Sequence, residues 1–225
     1  MKISHFSDTH GLPRKPVHDE AAVIVLSGDI CPNRTRGVVD VEADYQREWL
    51  RTTRKDWLRW SKGKPVVLVP GNHDFYRHMA RELGYAGFFV ADASLGMVTV
   101  SGVSFLGLPD IPWMGGHWNH ERGEQEIEHR FTEVLDQRPD VVVNHCPPYD
   151  VLDAPYGTHV DYRIGSAAIA KVLASHEHAP RLYLCGHCHE LGGRTQVVGR
   201  TLVSNAATKR VLVTLPEREP EPSTG

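Results

Sequence analysis

Short apolar runs bounded by polar punctuation recur along the chain: KISHF (2–6), AAVIVLS (21–27), PVVLVP (65–70), DVVVNH (140–145) and RLYLCGH (181–187). Their brevity and β-branched content predict buried strands rather than helices. Between the second and third runs, residues 40–62 carry Leu50, Thr53, Trp57 and Trp60 at i, i+3, i+7 and i+10, one face of an amphipathic helix. Two further helices are predicted over 121–137 and 166–175, the second with Ser166 as its N-cap after Gly165. Strands alternating with helices imply right-handed crossovers and a largely parallel sheet. The stretches 88–108 and 195–215 predict hairpin-like β pairs turning at Ser101-Gly102 and Gly199-Arg200. A mixed α/β domain over 1–215 follows, with the Pro-rich, charged 216–225 as a disordered tail.

Composition narrows the function classes. A chain of 225 residues suits one domain and can bury a sizeable core. A net charge of −3 gives no global attraction to nucleic acid or anionic membrane, so an anionic substrate must be drawn by a local site. MKISHFSDTHGLPR lacks an apolar signal core and no run is long enough to span a bilayer, so a cytoplasmic protein without a membrane partner is expected. Four cysteines are too few for a disulfide framework in a chain of this size. The 14 histidines direct attention to metal chemistry.

That chemistry stands at the ends of the strands, where open α/β sheets place their sites. Asp8-Thr9-His10, Gly28-Asp29, Gly71-Asn72-His73-Asp74, Asn144-His145 and Gly186-His187-Cys188-His189 each follow a predicted strand. Glycines there allow sharp turns and close approach to an ion. Asp8 and His10, and likewise His187 and His189, are two apart, so strand-like alternation would point each pair to one side and Cys188 to the other.

The order DxH, GD, GNHD, a later lone His and GHxH resembles the calcineurin-like metallophosphoesterase superfamily over residues 3 to about 210. SDTHG, EWLRTT, HCPPYDVLD and CGHCHE are similar to its small metallophosphodiesterase-domain members. The resemblance implies a four-layer αββα sandwich of two mixed β-sheets flanked by helices. It implies two divalent metal ions, Mn, Fe, Zn, Ni or Mg. Asp8, His10, Asp29 and His189 would hold the first, Asp29, Asn72, His145 and His187 the second, with Asp29 bridging. A carboxylate can share its oxygens between two cations, whereas an imidazole gives its lone pair to one. Two cations about 3.5–4 Å apart can clamp a phosphoryl group and acidify a bridging water for in-line attack. His73 is the general acid that the resemblance implies. Many relatives hold that histidine with a carboxylate three residues after GD, where this chain has Pro32, so His73 is expected to act with Asp74 or without a carboxylate partner.

Candidate substrate contacts come from loops: Asn33 and Arg34, Tyr76 and Arg77, Trp113, His117 and Asn119 in a rim or lid over 109–120, and Tyr162 and Arg163. The pair of phosphate-binding arginines of the superfamily's protein phosphatases cannot both be placed. The expected activity is therefore phosphodiester hydrolysis, or phosphomonoester hydrolysis, on a small molecule. A nuclease of the same chemistry and a non-catalytic metal-binding protein are the alternatives. His5, inside a strand, reads as a satisfied core histidine or a support for the site, and the basic run 51–64 as a solvated helix face. Cys185 and Cys188 lack the two further ligands of a zinc knot. Cys31, Cys146 and Cys188 lie within two residues of candidate ligands, which places them at the back wall as a point of thiol oxidation.

Overall fold

In the computed structural model, which describes residues 1–35, 39–76, 78–83, 87–155 and 162–217, the five apolar runs become β1 (Lys2–Phe6), β2 (Val23–Ser27), β3 (Val66–Val69), β9 (Val141–Val143) and β10 (Leu182–Cys185). One sheet has the order β13-β1-β2-β3-β4, with β4 at Phe88–Val90 and β13 at Arg210–Thr214. Its strands β1 to β4 are parallel and β13 is antiparallel to β1. The second sheet runs β11-β12-β10-β9-β6-β5. Here β5 (Val98–Val100) and β11 (Arg194–Val198) are antiparallel edges beside β6 (Val103–Leu106) and β12 (Thr201–Asn205).

The pleat divides these strands among three cores. Ile3, Val23, Val25, Val67 and Val69 meet Phe105, Val141, Val143, Leu182 and Leu184 between the sheets. Phe6, Ile24, Leu26, Val66 and Leu68 turn the other way, onto Leu50 and Trp57 of α1 (Val39–Ser61) and Met79 and Leu83 of α2 (Met79–Leu83). On the far face, Leu106, Val142, Tyr183 and Val203 pack on α3 (Glu124–Asp136) and α4 (Ala167–Ser175). Strands apolar on both faces can be covered only this way, and the result is the four-layer αββα sandwich expected. Among the described residues no helix is long and apolar enough to cross a membrane.

Both predicted hairpin stretches divide between the sheets. Within 88–108 only β5 and β6 form a hairpin; β4 joins the first sheet parallel to β3. The chain crosses at 91–93, where Ala91 N–H donates to Leu68 O and Ala93 N–H to Gly107 O. Within 195–215, β11 and β12 pair across the Gly199 turn, and β13 crosses back to β1. Residues 206–208 carry that crossing, Ala206 bonded to Cys185 and Thr208 to Ser7. Helix α3 starts three residues later than predicted because Glu121-Arg122 (β8) pairs with Ile111-Pro112 (β7), and the Glu121 carboxylate accepts the amides of Met114, Gly116 and Trp118. Ser166 caps α4 as expected, accepting from Ile169 N–H at 3.2 Å, and Glu124 accepts from the amides of Ala167 and Ala168. Of the predicted tail, Arg218 to Gly225 lie outside the described residues, as does Arg77.

Candidate metal centre

Because β1, β2 and β3 run parallel in one sheet and β9 and β10 in the other, all five motif-bearing strand ends emerge at one edge of the sandwich. The loops are joined by backbone bonds: Asp8 N–H to Gly28 O, His10 N–H to Asp29 O, and Gly186 N–H to His145 O, each 3.0 Å. Side chains up to 181 residues apart thereby meet, as in the 3.0 Å contact of His189 Nε2 with Asp8 Oδ1.

The pairs converge differently from the alternation expected. Asp8 (φ 52°), His10 (φ 43°), Asp29 (φ 51°) and His187 (φ 67°) all have left-handed backbone, and His189 opens a 3-10 turn, His189–Leu191. Non-glycine residues seldom adopt this conformation, which costs about 1–3 kcal/mol each and persists where the surroundings over-determine it. Two glycines show what does so here. A Cβ on Gly28 would stand 2.2 Å from His145 Nδ1, and one on Gly186 would stand 2.3 Å from Asp8 Oδ2.

Among the described residues, three donor groups have atoms all within 4.8 Å of one another: Asp8, His10 and His189; His10, Asp29 and His73; and Asp8, Asp29 and His145. Asp29 Oδ2 lies 3.5 Å from His145 Nε2 and 3.9 Å from the Nε2 atoms of His10 and His73. His145 Nδ1 faces Ser27 O at 2.9 Å, which fixes a proton on that nitrogen and directs Nε2 to Asn72 Oδ1 at 3.0 Å. His187 packs edge-on against His145, ring centroids 5.0 Å apart. Its amide donates to Asp8 Oδ2, while its Nε2 is buried with no hydrogen-bond partner. A buried imidazole nitrogen without a partner, among carboxylate, amide and imidazole donors, fits a divalent cation.

The electrostatics agree. Burial pushes the Asp29 carboxyl upward, yet the surrounding His145, His73 and His10 outweigh it and hold Asp29 well below the usual carboxylate range. Burial likewise opposes charge on His145, but Asp29 and Asp8 raise its pKa to about 10. Loss of water around the ring and the neighbouring His145 depress the half-buried His187 to about 4. The paired carboxylates call for positive charge, and a cation would supply it without protonating the ligands.

His73 is held apart from Asp74. Its ring Nδ1 sits 2.7 Å from Asn33 Oδ1, its carbonyl accepts from Asn33 Nδ2 and Gln46 Nε2, and its amide donates to Asp29 Oδ1. Of the two expected arrangements, that with Asp74 is not the one found: the Asp74 carboxylate accepts the amides of Gly71, Ile30 and Cys31, which shapes the loop. Asn33, predicted to touch substrate, is the partner of the imidazole. Trp118, which the sequence did not single out, stacks tilted on His73 at 4.2 Å. It belongs to the predicted rim loop, anchored beside the site by Asn119, whose amide N–H donates to Asn72 O and whose Nδ2 donates to Asp74 O.

The remaining substrate candidates are dispersed. The Tyr76 hydroxyl donates to Glu82, and its ring lines a cavity of about 440 Å³ with Asp110 and Arg122. Arg34 is exposed with its amide on Glu42. Arg163 is paired with Asp150 and Asp153 at 2.8 and 3.0 Å, lining a small cavity with Tyr162 and the 67% exposed Trp113. His117 is exposed at the loop tip. His5 is a satisfied core histidine, 2.8 Å from Ser27 Oγ and 3.4 Å from Ser204 Oγ across the two sheets. All four cysteines are free and buried, Cys31 in the α1 core and Cys146 and Cys185 in the α3/α4 core. Burial raises their thiol pKa values, that of Cys188 to about 12, which disfavours the thiolate that the expected oxidation would need.

An uncharacterized protein of Methanocaldococcus jannaschii is 26% identical over 217 residues, covering 95% of this chain and 91% of its own. One crystal structure superposes with a TM-score of 0.68 at 16% identity, over 96% of this chain and 99% of its own. A Staphylococcus aureus structure described provisionally as a 5′-nucleotidase, in complex with α-ketoglutarate, reaches 0.58 at 15% identity, over 95% of this chain and 50% of its own. These structural likenesses establish the fold. Residues 1–191, which carry every donor described above, match the family model of the calcineurin-like phosphoesterases, and the chain belongs to that family of metal-dependent phosphoesterases.

Proposed function

We propose that the protein hydrolyses a phosphodiester, with Asp8, His10, Asp29 and His189 holding one divalent cation and Asp29, Asn72, His145 and His187 a second. The partnerless, buried Nε2 of His187 supports this most, because a structural histidine so placed would leave a polar atom unpaired for no return. Divalent cations bound there would polarise the phosphoryl oxygens and lower the pKa of water. Asp29 shares one group with His10 and another with Asp8 and His145, a position that supports a bridging role.

The chain's own residues supply the rest. Asn33 accepts from His73 Nδ1–H, so the proton passed to the leaving alkoxide would be the one that the imidazolium form carries on Nε2, on the Asp29 side of the ring. Trp118 against the ring limits its rotation and the entry of water. His73 thus acts as general acid without a carboxylate partner. A domain over 1–215 in a cytoplasmic setting belongs to the same proposal, and four free thiols suit a reducing compartment.

Hydrolysis of bis(p-nitrophenyl) phosphate that disappears with chelator and returns with Mn²⁺ is the expected result. Inactivity with each of Mn²⁺, Fe²⁺, Zn²⁺, Ni²⁺ and Mg²⁺ would refute the proposal. His73→Ala should lose turnover while the purified variant still carries metal.

A further inference from the structure

A cleft of about 570 Å³ adjoins the candidate metal centre, sharing Asp8 and His10 with it. This is within the roughly 300–1,000 Å³ typical of ligand pockets. One side is the segment after His10, which contributes Arg14 and Lys15; the other is the turn between β12 and β13, which contributes Lys209 and Arg210. None of these four cations has a carboxylate partner among the described residues, whereas Lys2, Arg59, Lys62 and Lys171 are all paired with acids. The carboxylate in the wall, Asp8, is turned to His189 and the His187 amide.

The walls are also fixed in place. Arg210 Nη1 donates to Pro16 O at 3.0 Å, Trp60 Nε1 donates to Lys15 O at 3.0 Å, and the Thr208 amide donates to Ser7 O at 3.0 Å. Thr208 holds a left-handed φ of 57° to make that turn. In a chain of net charge −3, four unneutralised cations gathered on a braced cleft mark a place for anionic charge.

We propose that this cleft is a subsite for a second phosphate group of the substrate, bound while the scissile phosphate lies at the metal centre. The proposal rests on the phosphodiesterase reading for its kinetic consequence but not for binding. It makes the substrate a phosphodiester that carries at least one further phosphate, in place of a lone monoester or a neutral-ended diester.

Pyrophosphate titrated by calorimetry into the chelator-stripped full chain tests binding apart from catalysis. Wild type should bind it, and Arg14→Ala/Lys209→Ala should weaken binding roughly tenfold or more. Both residues are exposed, and a matching unfolding transition establishes that the variant is folded. A charge-swapped Lys209→Glu should weaken binding further. Equal affinity in wild type and both variants overturns the subsite. With Mn²⁺ present, kcat/KM is then compared for thymidine 5′-(p-nitrophenyl phosphate) with and without a 3′-phosphate, and ADP is compared with AMP as an inhibitor. Preference for the 3′-phosphorylated ester identifies a phosphate spaced by a nucleoside; stronger inhibition by ADP identifies an adjacent one. Either preference should collapse toward unity in the double variant, and the absence of both overturns the proposal. If neither ester is cleaved with any metal, the phosphodiesterase reading fails while the calorimetry still decides the subsite.

Discussion

His5, fully buried, and His187, half-buried with its Nε2 out of water, are two histidines that behave in opposite ways. His5 lies on a regular strand in the seam between the sheets, and both its ring nitrogens face serine hydroxyls. His187 lies just past a strand end on left-handed backbone, and its buried Nε2 faces no partner. The first arrangement is complete by itself; the second is complete only with something added. Histidine content alone therefore says little about function, whereas strained backbone combined with an unsatisfied buried donor locates it.

The sharpest way to break the contrast is to remove the carboxylate that both candidate metal groups share. Asp29→Asn should lower kcat/KM on bis(p-nitrophenyl) phosphate about a thousandfold or more, because a central charge is removed with little change of shape. A loss of less than tenfold in Mn²⁺-saturated assays would remove Asp29 from the bridging position.

Metal binding should also separate the two histidines. A ligand that binds only the native state adds about 4 kcal/mol at a thousand times its Kd. Mn²⁺ should raise the unfolding midpoint of wild type and of a His5→Gln variant alike, and do far less for His187→Ala. Equal stabilisation of all three proteins would show that His187 holds no ion.

Much of this contrast was legible in the sequence, and the part that was not has identifiable causes. Motif order placed the donors at strand ends, since a parallel strand can offer side chains to a site only there. The brevity and β-branched content of the apolar runs marked β1, β2, β3, β9 and β10 as buried strands, and each is covered by a core on both faces. Asp8 and His10 do turn to one side as expected, but on left-handed rather than strand backbone, a local conformation that the sequence pattern does not reveal. The crossings of β4 and β13 between sheets were hidden for a similar reason, since strand pairing across the molecule leaves no local period. Asn33 was visible as a polar loop residue, but its partner, 40 residues away, is known only once the loops meet.

Asn33 supplies a third, smaller test. Asn33→Ala removes the acceptor that orients the His73 ring and should lower kcat about a hundredfold, the low end of what a positioned acid contributes. Metal content and KM should change little. A matching loss of bound metal would instead make Asn33 a support of the centre as a whole.

The smallest expected effect concerns His5 and is read in stability. Burial lowers its pKa from 6.5 to about 3, against a weaker opposing pull from Asp8. As pH falls through 6.5 the unfolded chain takes up a proton at this residue and the native chain does not, so native stability is lost on acidification. The loss approaches about 1.4 kcal/mol per pH unit and ends near the folded pKa. By pH 5 it amounts to about 2 kcal/mol. Gln in place of His5 keeps a hydrogen-bonding group near Ser27 and removes the titration. In urea unfolding of the metal-free proteins, His5→Gln is expected to be the less stable protein at pH 7 and to lose about 2 kcal/mol less than wild type between pH 7 and 5. Histidines elsewhere titrate in both proteins and cancel in that difference. Identical acid slopes would mean that the seam admits the imidazolium, and His5 would then resemble the site histidines more closely than its hydrogen bonds suggest.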